Sequence, residues 1–182
     1  MENLKIICKE ELDHELDHKW AELEKNSNCS IFQYLDWVKK WKKEISDKDC
    51  KSKVLFLELY HQEKLICIIP FQIICRFSIK VLKISGNPFS DYSDIILDKN
   101  YSDLFIKNNE FLFDMISSKV SVDLMYFENI QENSDLYYLL KKHLLKTHNY
   151  NSYQIINIKG QKSLPNKFIN DTLRQIKRLT IL

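Results

Sequence analysis

A chain of 182 residues, 45% hydrophobic and 12% aromatic, is long enough to bury one sizeable core and too apolar to be disordered. Lysine and arginine number 27 against 25 acids, a net charge of +2, so overall charge does not single out a nucleic acid or an anionic membrane as partner. The longest apolar run, "LICIIPFQIIC" at 65–75, is too short to cross a bilayer and holds a proline.

In chain order, "LKIICK" (4–9) reads as a strand. The stretch from about 11 to 25 reads as a helix, because Leu12, Leu16, Trp20 and Leu23 recur at helical spacing. It contains "HELDH" (14–18), which matches H-E-x-x-H, the pattern in which two histidines one turn apart grip zinc and the glutamate acts as base. His14 and His18 each lie two residues, about 200°, from stripe positions, so they point to water among Asp13, Glu15, Asp17 and Lys19. His61, His143 and His148 have no ligand motif around them, and no third ligand is recognisable. The expectation is a solvated helix face and no metal.

A second helix, about 33–46, follows "NSNCS"; Leu35, Val38, Trp41 and Ile45 mark its apolar face, with Trp37 beside them. The two tryptophans, one turn apart among apolar neighbours, read as core in preference to a sugar-stacking pair. "KVLFLELY" (53–60) is a strand, "HQEK" a turn, and 65–75 returns antiparallel as a strand pair or one long bent strand. "IKVLKISG" (79–86) and "DYSDIIL" (91–97) are two more strands, divided by "SGNPFS". A helix at about 103–117, the strand "VDLMYFE", a helix at about 134–147, the strand "YQIINIK" and a last helix from about 167 complete the chain.

Antiparallel hairpins followed by late helical crossovers predict an α/β sandwich of two or three layers on a mixed sheet. No repeat, low-complexity tract or linker divides the chain, so residues 1–182 read as a single domain. The closing stretch carries Lys159, Lys162, Lys167, Arg174, Lys177 and Arg178, read as the outer face of an amphipathic helix and not as a nucleic-acid surface. Five cysteines, Cys8, Cys29, Cys50, Cys67 and Cys75, form no C-x-x-C pair and follow no signal peptide, which fits free thiols in a reducing, cytoplasmic setting. Cys50 lies among lysines but has no histidine nearby in sequence, and reads as an idle loop thiol.

Two segments, "SIFQYLDWVKKW" (30–41) and "ISGNPFSDYSDIIL" (84–97), with "LICIIPF" between them, resemble the N-terminal half of GNAT-like acetyltransferases of the CelD-like (cellulose biosynthesis) group, related to the FemAB peptidoglycan-bridge enzymes. The matching positions are Phe32, Gln33 and Trp37, Pro70, and Gly86, Asp91, Tyr92 and Asp94. The resemblance runs from about residue 10 to the end and implies a GNAT-like fold, a mixed, mostly antiparallel sheet flanked by helices. Intact members carry a second repeat that is expected to hold acyl-CoA. By that resemblance this chain is a truncated first half, a fragment whose ancestral reaction is acyl transfer to an amine or hydroxyl acceptor on an envelope-type sugar or amino acid. It then binds no cofactor itself, and its partner is a second copy of the chain, through an edge near "YQIINIK", or a separate chain supplying the second repeat. The alternative is a non-catalytic binding module that reuses the half-fold.

The residues themselves point the same way. A CoA pyrophosphate at a helix start needs exposed backbone N–H groups, usually from a glycine-rich turn, yet the chain has only Gly86 and Gly160. After the fourth core strand stands "DKNYSD" (98–103), whose Asp98 and Asp103 are expected to cap the helix and repel a phosphate. Asp91 and Asp94, beside Tyr92, suit either a general base for an acceptor or a plain turn and cap. With Gln33 and Trp37 they form the candidate substrate-binding set.

Overall fold

The computed structural model describes residues 4–76, 78–87 and 89–143, all within one compact unit. The strand expected at "YQIINIK", the basic last helix and Gly160 lie outside the described residues. Six strands form one sheet: β1 (Leu4–Lys9), β2 (Ser52–His61), β3 (Lys64–Arg76), β4 (Ile79–Ile84), β5 (Ile96–Leu97) and β6 (Leu124–Met125). The order is β1-β2-β3-β4-β6, with β5 beside β3; every pairing is antiparallel except that of β4 with β6. Helices α1 (His14–Lys25) and α2 (Leu35–Glu44) follow β1, while α3 (Ser102–Lys107), α4 (Asn109–Lys119) and α5 (Asp135–Leu140) come late in the chain.

Strand alternation divides the core in two. Leu55, Leu57 and Leu59 of β2 join Ile6, Ile69 and Phe71 in a cluster with Phe105, Leu112, Ile116 and Leu136 from α3, α4 and α5. Val54, Phe56 and Tyr60 join Ile68 and Ile96 in a second cluster with Leu16, Trp20, Leu23, Val38 and Trp41 from α1 and α2. The architecture is therefore three layers, helices on both faces of the sheet. Register shifts between Leu59 and Tyr60, a bulge that puts neighbouring Ile66 and Cys67 in the same cluster.

The run at 65–75 is one long strand, and Pro70 explains how a proline is tolerated there. In a strand a residue's N and O point to the same side, and Pro70 O accepts from Ser85 N at 2.8 Å. The missing N–H thus faces the β4/β5 side, where β5 pairs with residues 67–68 and β4 with 71–76, leaving 69–70 without a ladder partner.

Several expected elements are shorter or divided, among them the helix expected at 134–147, which ends at Leu140. The first helix starts at His14, because Asp13 is its N-cap and accepts from Leu16 N at 2.7 Å. Only Ile96–Leu97 of "DYSDIIL" is strand, since the preceding residues form hydrogen bonds to other elements. The helix expected at 103–117 breaks at Asn108, whose Nδ2 donates back to Leu104 O at 2.8 Å. "VDLMYFE" contributes two strand residues. Among the described residues no helix is long and apolar enough to cross a membrane.

Candidate functional site

The loop between β4 and β5 carries most of the candidate residues, and its shape begins at Gly86. With φ +107°, Gly86 holds a conformation that costs an L side chain, and an added Cβ would lie 2.1 Å from Ser90 Oγ and 2.8 and 2.9 Å from two Trp37 ring carbons. Phe89 N and Ser90 N both donate to Gly86 O, at 2.8 and 3.0 Å, closing the turn. The glycine is thus required both by dihedral and by the close approach of α2.

Gln33 fixes the loop from the other side. It ends a 3-10 turn (Ile31–Gln33) built on a capping box: Gln33 Oε1 accepts from Ser30 N at 3.0 Å and Ser30 Oγ at 2.7 Å, while Ser30 Oγ accepts from Phe32 N. Its Nε2 donates across to Tyr92 O at 2.9 Å, and its backbone O accepts from Trp20 Nε1 at 3.1 Å. One buried residue, through its side chain and its backbone carbonyl, therefore ties α1, the turn and the loop together. Phe32 stands edge-on to Trp37 with centroids 5.5 Å apart and tilts against Tyr92 at 6.1 Å. On the far flank Asn129 Nδ2 donates to Ser90 O at 2.8 Å and Ser93 N to Asn129 O at 3.0 Å. The Oγ atoms of Ser85, Ser90 and Ser93 are buried without a hydrogen-bond partner among the described residues.

The structure brings Gln33, Trp37 and Tyr92 together and sets the two acids apart in role. Asp91 is exposed, and no described hydrogen bond or ion pair engages it. Asp94 turns toward α5: its Oδ1 accepts from Ile95 N at 2.8 Å and Leu136 N at 2.9 Å. Burial pushes the Asp94 carboxyl up to about 6, against the pull of those amides and aided by the neighbouring Asp135 carboxyl. Burial also raises Asp135.

Four residues on, Asp98 is buried at the N-cap of the turn Lys99–Tyr101 that leads into α3. Its Oδ1 accepts from Asn100 N at 3.0 Å and Asn100 Nδ2 at 2.9 Å, and its Oδ2 from Lys64 Nζ at 2.8 Å. Lys64 also lies 4.9 Å over the Tyr101 ring. Burial alone would raise the Asp98 carboxyl, but the Lys64 ammonium and the Asn100 donors outweigh it and hold it below its ordinary value. The cap expected from "DKNYSD" thus falls on the 3-10 turn and to Asp98 alone: α3 begins at Ser102 without a side-chain cap, and Asp103 lies in its first turn.

Sequence reasoning missed Ser30 and Asn129. The first has a signal, S-x-x-Q at 30–33 as a capping box; the second has none, since Asn129 meets the loop only through tertiary contact.

The "HELDH" helix packs as its stripe predicts. Leu16 and Trp20 are fully buried, whereas His14 and His18 are exposed and touch edge to face at 4.5 Å. Among the described residues no group of three or more His, Cys, Asp or Glu side chains has the arrangement to hold an ion. Trp41 is buried in the α1/α2 core, and Trp37 is half-buried in the aromatic group beside the loop.

No family model and no curated protein matches the sequence. Solved structures resemble its fold. A ribosomal-protein-alanine N-acetyltransferase from Brucella melitensis biovar Abortus superposes with a TM-score of 0.50 at 12% identity, covering 85% of this chain and 99% of that one. An aminoglycoside acetyltransferase from an uncultured soil metagenomic sample gives 0.49 at 12% identity, covering 85% and 96%. A GNAT family acetyltransferase from Staphylococcus aureus gives 0.47 at 10%, covering 85% and 100%. At these identities the likeness speaks for architecture: the chain has a GNAT-like fold.

Proposed function

We propose that this chain is a GNAT-fold domain of the acyltransferase class, descended from an enzyme that moves an acyl group from acyl-CoA to an amine or hydroxyl acceptor, and that this domain does not itself hold the acyl-CoA. The observation that carries the reading is Asp98. A pyrophosphate docks at a helix start by taking its free N–H groups, with the helix dipole behind them. Here the Asp98 carboxylate takes the Asn100 N–H at the start of the 3-10 turn that leads into α3, and its own negative charge, matched by Lys64, stands beside the approach to that helix. The donor then belongs to a second repeat, as in the two-repeat enzymes this sequence resembles. Calorimetry tests this: the isolated chain should give no saturable heat with acetyl-CoA, and a stoichiometric micromolar complex would overturn the proposal.

In the same reading the acceptor meets the loop between β4 and β5. Asp91 and Tyr92 face it, Gln33 and Trp37 hold the loop in place, and Asp94, with its carboxyl near 6, is the group suited to take a proton close to neutral pH. A second reading, a non-catalytic interaction module, is favoured by one feature: the polar atoms of Gln33 and Oδ1 of Asp94 are engaged by the protein's own backbone and by Ser30. A dimer in sedimentation that binds a sugar or acidic ligand without turnover would favour the module. Acyl transfer restored by adding a second-repeat chain would favour the enzyme.

A further inference from the structure

A cleft of about 680 Å³ opens between β1, α1 and the end of β2, at the edge of the sheet away from β6. Its floor is Glu58, whose side chain is 0% exposed. Val54, Phe56 and Tyr60 of the same strand face the α1/α2 core, so Glu58 places a carboxylate in an apolar row. Such a charge costs free energy unless every lone pair is served.

Only half of it is served. Tyr60 Oη donates to Glu58 Oε2 at 2.5 Å and accepts from Lys19 Nζ at 3.3 Å. Glu58 Oε1 has no hydrogen-bond partner of good geometry among the described residues. Lys9 Nζ faces that oxygen at 3.3 Å, a longer and less well aligned contact than its 2.8 Å hydrogen bond to Asp13. The buried carboxylate thus shares its cation with Asp13, which holds it more closely. Lys5, in the same β1 row, has no ion pair among the described residues. At the rim, the two-residue turn joining β2 to β3 holds Gln62 at φ 48° and Glu63 at φ 69°. Asn-Gly takes that turn readily, whereas here two long polar side chains are held over the cleft in a costly backbone conformation.

We infer that this cleft binds a small zwitterion, a molecule carrying one protonated amine and one carboxylate. The ligand ammonium replaces Lys9 Nζ before Glu58 Oε1 and supplies the missing hydrogen bond. Its carboxylate is received by Lys5 and by Lys9, which keeps Asp13 as its other partner. A carboxylate alone meets the repulsion of Glu58, and an amine alone that of the lysines; only a ligand with both charges satisfies the two ends. The site is separate from the loop between β4 and β5, and it stands or falls independently of acyl transfer.

The test is an amide-resolved NMR titration of the full chain with glycine, β-alanine and γ-aminobutyrate, with propylamine and butyrate as single-charge controls. At least one amino acid should produce saturable shifts confined to the β1 strand, the first half of α1 and residues 58–63, about tenfold tighter than either control. Glu58→Gln, which keeps the shape and removes the charge, should weaken that binding about tenfold or more, and so should Lys5→Met. Lys5 is exposed on the edge strand, so its variant decides the matter even if Glu58→Gln fails to fold. No saturable shift from any of the three amino acids, shifts located elsewhere, or unchanged affinity in Lys5→Met would overturn the proposal.

Discussion

Asp94 and Asp98 stand four residues apart on either side of β5, and each accepts a backbone N–H near the start of a helical segment. Their carboxyls nevertheless shift in opposite directions. Asp98 has the Lys64 ammonium at 2.8 Å and is held below its ordinary value; Asp94 has packing around it and the Asp135 carboxyl nearby, and is raised to about 6. At Asp94 the backbone donors do not offset burial; at Asp98 the opposing ammonium and the Asn100 donors do. The same difference separates a group fixed as a cap from one that exchanges a proton near neutrality.

The two acids therefore contribute to stability over different pH ranges. For Asp98 the folded value lies below the unfolded one, so its contribution is present above about pH 4 and lost as pH falls through the folded value. For Asp94 the folded value of about 6 lies above the ordinary 3.8, so the native state holds its proton more tightly, and stability drains away as pH rises from about 4 to 6.

Variants sharpen the comparison, and the largest effect supplies its baseline. Leu16→Ala truncates a fully buried side chain on the α1 face and should cost about 2–5 kcal/mol in denaturant unfolding, by nearly the same amount at every pH. Asp94→Asn keeps an oxygen for Leu136 N and removes the part-buried charge. It should stabilise by on the order of 2 kcal/mol near neutral pH, with the gain vanishing below about pH 4. Asp98→Asn keeps the cap and loses the charge facing half-exposed Lys64. It should destabilise by about 1 kcal/mol near neutral pH, and the loss should fade in acid. A gain for Asp98→Asn or a loss for Asp94→Asn near neutral pH would break the assignment. Smallest of all, His14→Ala with His18→Ala should change stability by less than about 0.5 kcal/mol. A larger loss, reversed by added zinc, would revive the metal reading of that helix.

What the sequence disclosed followed from periodicity and local chemistry. The α1 stripe placed Leu16 and Trp20 inside and both histidines outside, and "DKNYSD" announced the Asp98 cap, though on the turn before α3 and without Asp103. The loop was less legible. Its acids looked like a pair, yet Asp94 is committed to α5, more than forty residues ahead, a tertiary contact no local pattern encodes. "DYSDIIL" read as strand for the same reason: its apolar end is strand, while its first residues are held by the distant Asn129 and α5. Glu58 did leave a signal, a charge at an inward position of "KVLFLELY", but the alternation that exposes it becomes meaningful only once β2 is seen to be covered on both faces.

The most direct test of the account is an NMR pH titration of the aspartate carboxyl carbons, followed by addition of acetyl-CoA. The account predicts that Asp94 titrates near 6 and Asp98 below 3.8, and that saturating acetyl-CoA moves neither the Asp98 carboxyl nor the Asn100 amide. A saturable shift of those two signals with acetyl-CoA, showing phosphate admitted at the turn that Asp98 caps ahead of α3, would contradict it.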